Sequence, residues 1–163
     1  MIELGIAGNS TLLNNTLDSP DFPKMKKNRL EIEYSYDFEL LGLTTSAKAY
    51  KMAWELNRCL NIRLTKKADL IIRTKAKEEA TYSFHAYETA MNTLRLFKNK
   101  PNETQHARNL LVPEFPHVDY IIMIQGDELS SNRLQEELRG IPSVEWVAFI
   151  PLDSLKTKNN FIF

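Results

Sequence analysis

Residues Tyr120-Ile121-Ile122-Met123-Ile124 put apolar side chains on both sides of an extended chain. Val118, Tyr120, Ile122 and Ile124 are expected on one face of a strand, with Ile121 and Met123 on the other. A strand with no wet face belongs in the middle of a sheet and needs a covering layer on each side. A chain of 163 residues is long enough to supply those layers within a single domain.

The rest of the chain is read around that strand. Leu30, Ile32, Tyr34, Tyr36, Phe38 and Leu40 alternate with polar residues, which predicts a half-buried strand over 30–40, broken at Gly42. Thr44-Thr45-Ser46 offers N-cap hydroxyls to a helix carrying Ala49, Tyr50, Ala53, Trp54, Leu56, Asn57 and Leu60 at helical spacing. Residues 62–72 are β-prone and complete a strand–helix–strand unit. Residues 81–98 read as a hairpin with a break around Glu88-Thr89-Ala90, and 99–110 as a polar loop. After the central strand, a helix beginning within Asp127–Ser131 carries Leu129, Leu134 and Leu138, and Gly140 and Pro142 stop it. A last strand spans Val144 to Phe149, Asp153-Ser154-Leu155 starts a helical turn, and the apolar Phe161-Ile162-Phe163 docks on the body.

The predicted fold class is therefore α+β: two β-α-β units with an intervening β-hairpin, arranged as a ferredoxin-like sandwich with the helices on one face of the sheet. Residues 1–24 are rich in Asn, Ser, Thr, Asp and Pro and are expected to form a weakly ordered N-terminal extension, or to precede a natural start at Met25. Residues 25–163 are expected to form the single domain.

Charge and cysteine content narrow the function classes. Lys plus Arg and Asp plus Glu balance at 21 each, which argues against a dedicated nucleic-acid binder and leaves little net repulsion to oppose self-association. The basic run Arg58, Arg63, Lys66, Lys67, Arg73, Lys75, Lys77 lacks interleaved aromatics and so makes a poor stacking platform for single strands. Cys59 is the only cysteine, so neither an intramolecular disulfide nor a cysteine-based zinc site can form. His85, His106 and His117 have no metal-ligand spacing. With no basic start followed by an apolar run at Met1-Ile2-Glu3, and no long apolar stretch, the expected location is the cytoplasm, away from membranes.

The run Val112-Pro113-Glu114-Phe115-Pro116-His117-Val118-Asp119-Tyr120 feeds the central strand through two prolines, each fixing its own φ and holding its predecessor extended. This run resembles the signature of an uncharacterised bacterial family named for its IPExxxVDY motif. Val112 stands for the leading Ile, while Pro113, Glu114, Val118, Asp119 and Tyr120 match it directly. Asp37 to Thr45, together with Tyr50 through Asn57, also resembles that family's first strand and helix, so the likeness covers about Leu30 to Phe163. The resemblance implies a small cytoplasmic bacterial protein and brings no catalytic residues with it.

Candidate contacts with a ligand or partner are Glu114, His117, Asp119, Tyr120, Trp54 and Asn57. Glu114 and Asp119 form a carboxylate pair suited to acid–base work, or else Glu114 caps a neighbouring segment and Asp119 accepts backbone N–H bonds where the strand begins. Trp54 lines a pocket or joins the core, and Asn57 hydrogen-bonds a buried backbone group. No nucleophile has a base beside it in the sequence pattern, so no catalytic residues, metal or cofactor are assigned. The expected function is a non-enzymatic binding or structural protein with a protein partner or self-association. The alternative is a small-molecule-sensing domain like the ACT class, to which residues 134–147 bear a fold-level likeness; an enzyme using Glu114 and Asp119 stands third.

Overall fold

The computed structural model describes residues 36–102 and 109–163. The elements below belong to the compact unit Asp37–Phe163. The extension expected over 1–24, the first part of the strand expected over 30–40, His106 and the middle of the 99–110 loop lie outside the described residues.

In chain order the elements are β1 (Phe38–Thr45), α1 (Ala49–Leu60), β2 (Thr65–Lys66), β3 (Leu70–Arg73), β4 (Glu79–Tyr82), β5 (Phe84–Glu88), β6 (Thr93–Lys98), β7 (Tyr120–Gln125), α2 (Ser131–Arg139) and β8 (Val144–Ile150). Short 3-10 turns follow at Leu152–Ser154 and Lys158–Phe161. Among the described residues six strands form one antiparallel sheet in the order β2-β5-β6-β7-β1-β8, and β3 pairs with β4 in a separate ribbon. The fold is α+β.

The doubly apolar strand is β7, flanked by β6 and β1. Register places Leu41, Ile122 and Leu96 side by side across the three strands, with Gly42, Ile121 and Phe97 on the opposite face. On the first face, Leu41, Leu43, Leu94, Leu96, Ile122 and Ile124 share one buried cluster with Met52, Ala53 and Leu56 of α1 and Leu134 and Leu138 of α2. Each large aliphatic side chain buried here stabilises the fold by about 1.5–3 kcal/mol relative to exposure.

The second face is covered by irregular chain. Val118 from the proline loop packs against Gly42 there, and Leu111 and Val112 of the same segment and Leu155 and Phe161 of the C-terminal segment are all buried. Phe161 sets its ring edge-on to Phe97 at 5.3 Å and lies 6.3 Å from Phe38, and Phe163 meets Phe84 at 5.8 Å. The apolar terminus thus docks on the β5–β6 side of this face.

Several expectations change. Gly42 lies inside β1, which runs on to Thr45. A side chain at 42 would meet Val118 and Ile150, each with an atom 3.0 Å from the Cβ position, so glycine here permits close packing and does not break the strand. Val118 packs on the Gly42 face, opposite Tyr120, because a turn closed by its N–H to the Phe115 carbonyl (3.1 Å) precedes the strand. Lys48, not a hydroxyl residue, occupies the N-cap of α1, while Thr45 Oγ1 donates to the Ser143 carbonyl at 2.6 Å. Tyr50 and Trp54 are 70% and 54% exposed, because the stripe facing the sheet runs through Met52, Ala53 and Leu56.

The β-prone stretch 62–72 divides into β2 and β3, which join different sheets. Between them Lys66 Nζ pairs with Asp69 at 2.6 Å, and the Lys67 N–H reaches the Phe84 carbonyl at 3.1 Å. The hairpin is β5–β6 alone, closed at its turn by Thr89 and Asn92. α2 begins at Ser131, later than the earliest expected cap, because the Glu128 N–H and carboxylate are both held by the Asn92 side chain. Gly126 ends β7 at φ 112°, where any side chain would collide with the Met91 carbonyl and Asn92.

The close approach at Gly42 gives the first prediction. Gly42→Val inserts methyl groups into a filled space, and urea unfolding is expected to show a loss of about 1–3 kcal/mol. Unchanged stability would mean that Val118 and Ile150 do not close on β1 as described.

Candidate functional site

The proline loop is built outward from Asn99. This side chain is fully buried at the end of β6. Its Nδ2 donates to the carbonyls of Val118 (2.7 Å) and Phe115 (3.3 Å), and its Oδ1 accepts the Val112 N–H at 2.8 Å. Its backbone N–H donates to the Asp119 carbonyl, and its carbonyl accepts the Leu111 N–H at 2.8 Å. A buried amide with every described group in use is costly to disturb, because truncation would leave several backbone groups without partners. Asn99 opens the stretch expected to be a polar loop, and no periodicity separates it from the Asn and Lys residues around it.

Each residue of the run then has a distinct partner. Glu114 Oε1 accepts the N–H groups of Lys156 (2.7 Å) and Thr157 (3.2 Å) and the Thr157 hydroxyl (3.1 Å), which ties the C-terminal segment to the loop. Asp119 Oδ2 accepts the Thr45 N–H at 3.0 Å, and its own N–H donates to the Leu43 carbonyl at 2.9 Å, continuing the β1 edge beyond the strand pairing. The two carboxylates therefore hold different segments by hydrogen bonds to backbone donors.

The His117 carbonyl accepts the Thr44 hydroxyl at 3.1 Å, and its exposed ring stands edge-to-face with Trp146 of β8 at 5.3 Å. The Tyr120 hydroxyl donates to the Ala47 carbonyl at 2.7 Å, anchoring the turn that leads into α1. Burial, aided by the Asp119 charge, pushes its phenol pKa up to about 12.

Trp54 and Asn57 lie elsewhere, on α1. Asn57 Oδ1 accepts the Leu64 N–H at 2.7 Å and fastens the chain that leaves the helix. Trp54 carries the Arg58 guanidinium over its ring at 4.8 Å and borders an open cavity of about 560 Å³ with Arg58, Cys59, Glu137 and Pro142. Burial and a hydrogen bond to Glu137 push the Cys59 thiol up, away from a reactive thiolate. Other members of the basic run are paired: Lys67 with Glu88, and Arg73 with Glu79. Among the described residues, no group of three or more His, Cys, Asp or Glu side chains is placed to hold a metal ion. Among the same residues no helix is long and apolar enough to cross a membrane.

The loop also borders the open edge of the sheet. β8 pairs with β1 on one side, and among the described residues no strand pairs with its other side. Its sequence, Val144-Glu145-Trp146-Val147-Ala148-Phe149-Ile150, carries one charge, and Trp146 and Phe149 are 42% and 45% exposed. Local alternation predicts this strand but not its edge position, which depends on the pairing order. No protein-family model matches the chain, and a search of curated proteins finds no relative.

Tyr120 gives the second prediction. The unfolded phenol ionises near 10 and the folded one near about 12, so the unfolded chain gives up its proton first. This contribution to stability is complete below pH about 10 and is lost as pH rises through about 12. Urea unfolding across that window is expected to show a decline of about 2 kcal/mol, in which Tyr82, also raised by burial, takes a share. Tyr120→Phe should lower stability at neutral pH by about 1 kcal/mol and flatten the alkaline decline. An equally steep decline in Tyr120→Phe would show that the Tyr120 phenol is not the group responsible.

Proposed function

We propose that the protein is a non-enzymatic interaction protein that associates with a second copy of itself through the β8 edge. The observation that carries this reading is the seven-residue strand Val144–Ile150, whose outer side has no strand paired with it among the described residues. Seven residues present about 20 Å of backbone to pair with. β-Branched and aromatic residues dominate it, and it carries no lysine or proline of the kind by which natural edge strands avoid pairing; a bulge at Glu145, where the register against Thr44 and Thr45 shifts, leaves Trp146–Ile150 in regular pairing. The opposite edge differs: β2 is two residues long and includes Lys66, with Lys67 next to it. Antiparallel pairing of β8 with its own copy is self-complementary, so a two-fold dimer closes without leaving a further open edge there. The balanced charge of the chain opposes such pairing little.

The use of Glu114 and Asp119 as backbone acceptors supports a binding role over acid–base chemistry. A second reading is a ligand-responsive domain of the ACT type on a ferredoxin-like frame. It is favoured by the partial strand order β8-β1-β7-β6, in which α1 lies between β1 and β6 in the chain and α2 between β7 and β8. Membership of the IPExxxVDY family and a cytoplasmic location belong to the same proposal, the first supported by the 112–120 run and the second by the single free Cys59.

Size-exclusion chromatography with light scattering tests the edge. The native chain is expected to run as a dimer at micromolar concentration, and Phe149→Lys as a monomer with an unchanged circular dichroism spectrum. A native chain that stays monomeric at every concentration, or a Phe149→Lys variant that remains dimeric, would rule the β8 interface out.

A further inference from the structure

We infer that the cleft between the β1–α1 turn and the end of β6 binds a small phosphate-bearing anion. The cleft has a volume of about 540 Å³, within the range of small-molecule sites. Three lysines converge on it from two separate segments: Lys48 from the turn, and Lys98 and Lys100 from the end of β6. Among the described residues none of the three has a carboxylate partner, a state they share with exposed lysines such as Lys75, and what sets them apart is their convergence on one cleft. The one acid lining the cleft is Asp119, whose Oδ2 already accepts the Thr45 N–H. Positive charge is therefore gathered in a concave place and left in excess. Like charges held together without counter-charge destabilise the free protein, and an anion seated among them relieves that cost.

The lysines are held by rigid chain. Lys98 lies directly opposite Tyr120 in the β6–β7 register, and Asn99, pinned by five hydrogen bonds to the proline loop, separates it from Lys100. Tyr120 fixes the other wall through its hydroxyl on Ala47. Ser46, exposed in the lining, adds a hydroxyl donor. The start of α1 reinforces the field: its first turn has no acidic residue, and its N-cap has no side-chain hydrogen bond. A lysine at a helix N-cap opposes the helix dipole, and an anion between the two reverses the sign of that interaction. Compact anions of high charge fit this set of point-charge ammonium groups better than a planar carboxylate, which is matched by arginine.

The inference supplies a ligand class and a place for the second reading above, and it is independent of the β8 edge, since dimerisation can fail with anion binding intact. Calorimetric titration of the full chain with pyrophosphate, at constant ionic strength set with sodium chloride, is the test. AMP in a parallel arm distinguishes a phosphomonoester from an inorganic polyphosphate, either of which is the inferred chemistry. Saturable binding to at least one probe is expected, weakened ten-fold or more by the double change Lys98→Gln and Lys100→Gln, both on partly or fully exposed side chains. Lys75→Gln, in the β3–β4 turn, should leave binding unchanged. Absence of saturable binding by both probes would overturn the inference, as would equal weakening by Lys75→Gln, which would mark the effect as general charge attraction.

Discussion

The strand Tyr120–Gln125 is apolar on both faces, and most of the fold is a response to that fact. One face takes the ordinary solution, a layer of two amphipathic helices whose buried stripes meet Ile122 and Ile124. The other face meets the proline loop at Val118 and the C-terminal segment at Phe161, where the only helical structure is a short 3-10 turn among the described residues. Such chain cannot satisfy its own backbone as a helix does, so it must borrow donors and acceptors from elsewhere. Asn99 and Glu114 supply them: one binds the loop to the sheet, the other binds the C-terminal segment to the loop.

Seen this way, the 112–120 run is a fastening. Its prolines shorten the list of conformations the loop must give up on folding, and its polar side chains are directed to backbone groups of neighbouring segments. Aligning Asp119 with Thr45 and Tyr120 with Ala47 also fixes the turn into α1, so one loop positions the strand beside it, the C-terminal cover and the mouth of the lysine cleft. The two proposed sites lie at the margins of the fastened core: the side of β8 that no described strand pairs with, and the cleft beside α1.

The parts legible in the sequence were those governed by local periodicity. The central place of β7, the helix ending at Leu60, the stop at Gly140 and the docking of Phe161 all followed from which side chains must avoid water. What escaped depended on distant neighbours. Gly42 reads as a break until Val118 and Ile150 are seen against it. Trp54 reads equally as core or as pocket lining, because hydrophobicity alone does not say which stripe of a helix faces the sheet; it stands half-exposed beside an open cavity. Asn99 gives no local signal at all, since its partners lie 13 to 19 residues away along the chain. The lysine cleft joins residues about 50 positions apart, and the open edge of β8 is a property of strand order; neither has a local pattern to detect.

Native-state hydrogen exchange tests the central claim, that the proline loop is part of the core and not a mobile binding loop. Amides of Leu111, Val112, Val118 and Asp119 should exchange only through global unfolding, with the same free energy and denaturant dependence as the amides of β7. Rapid exchange of those four amides, independent of denaturant while β7 remains protected, would show the loop opening by itself and would contradict the account.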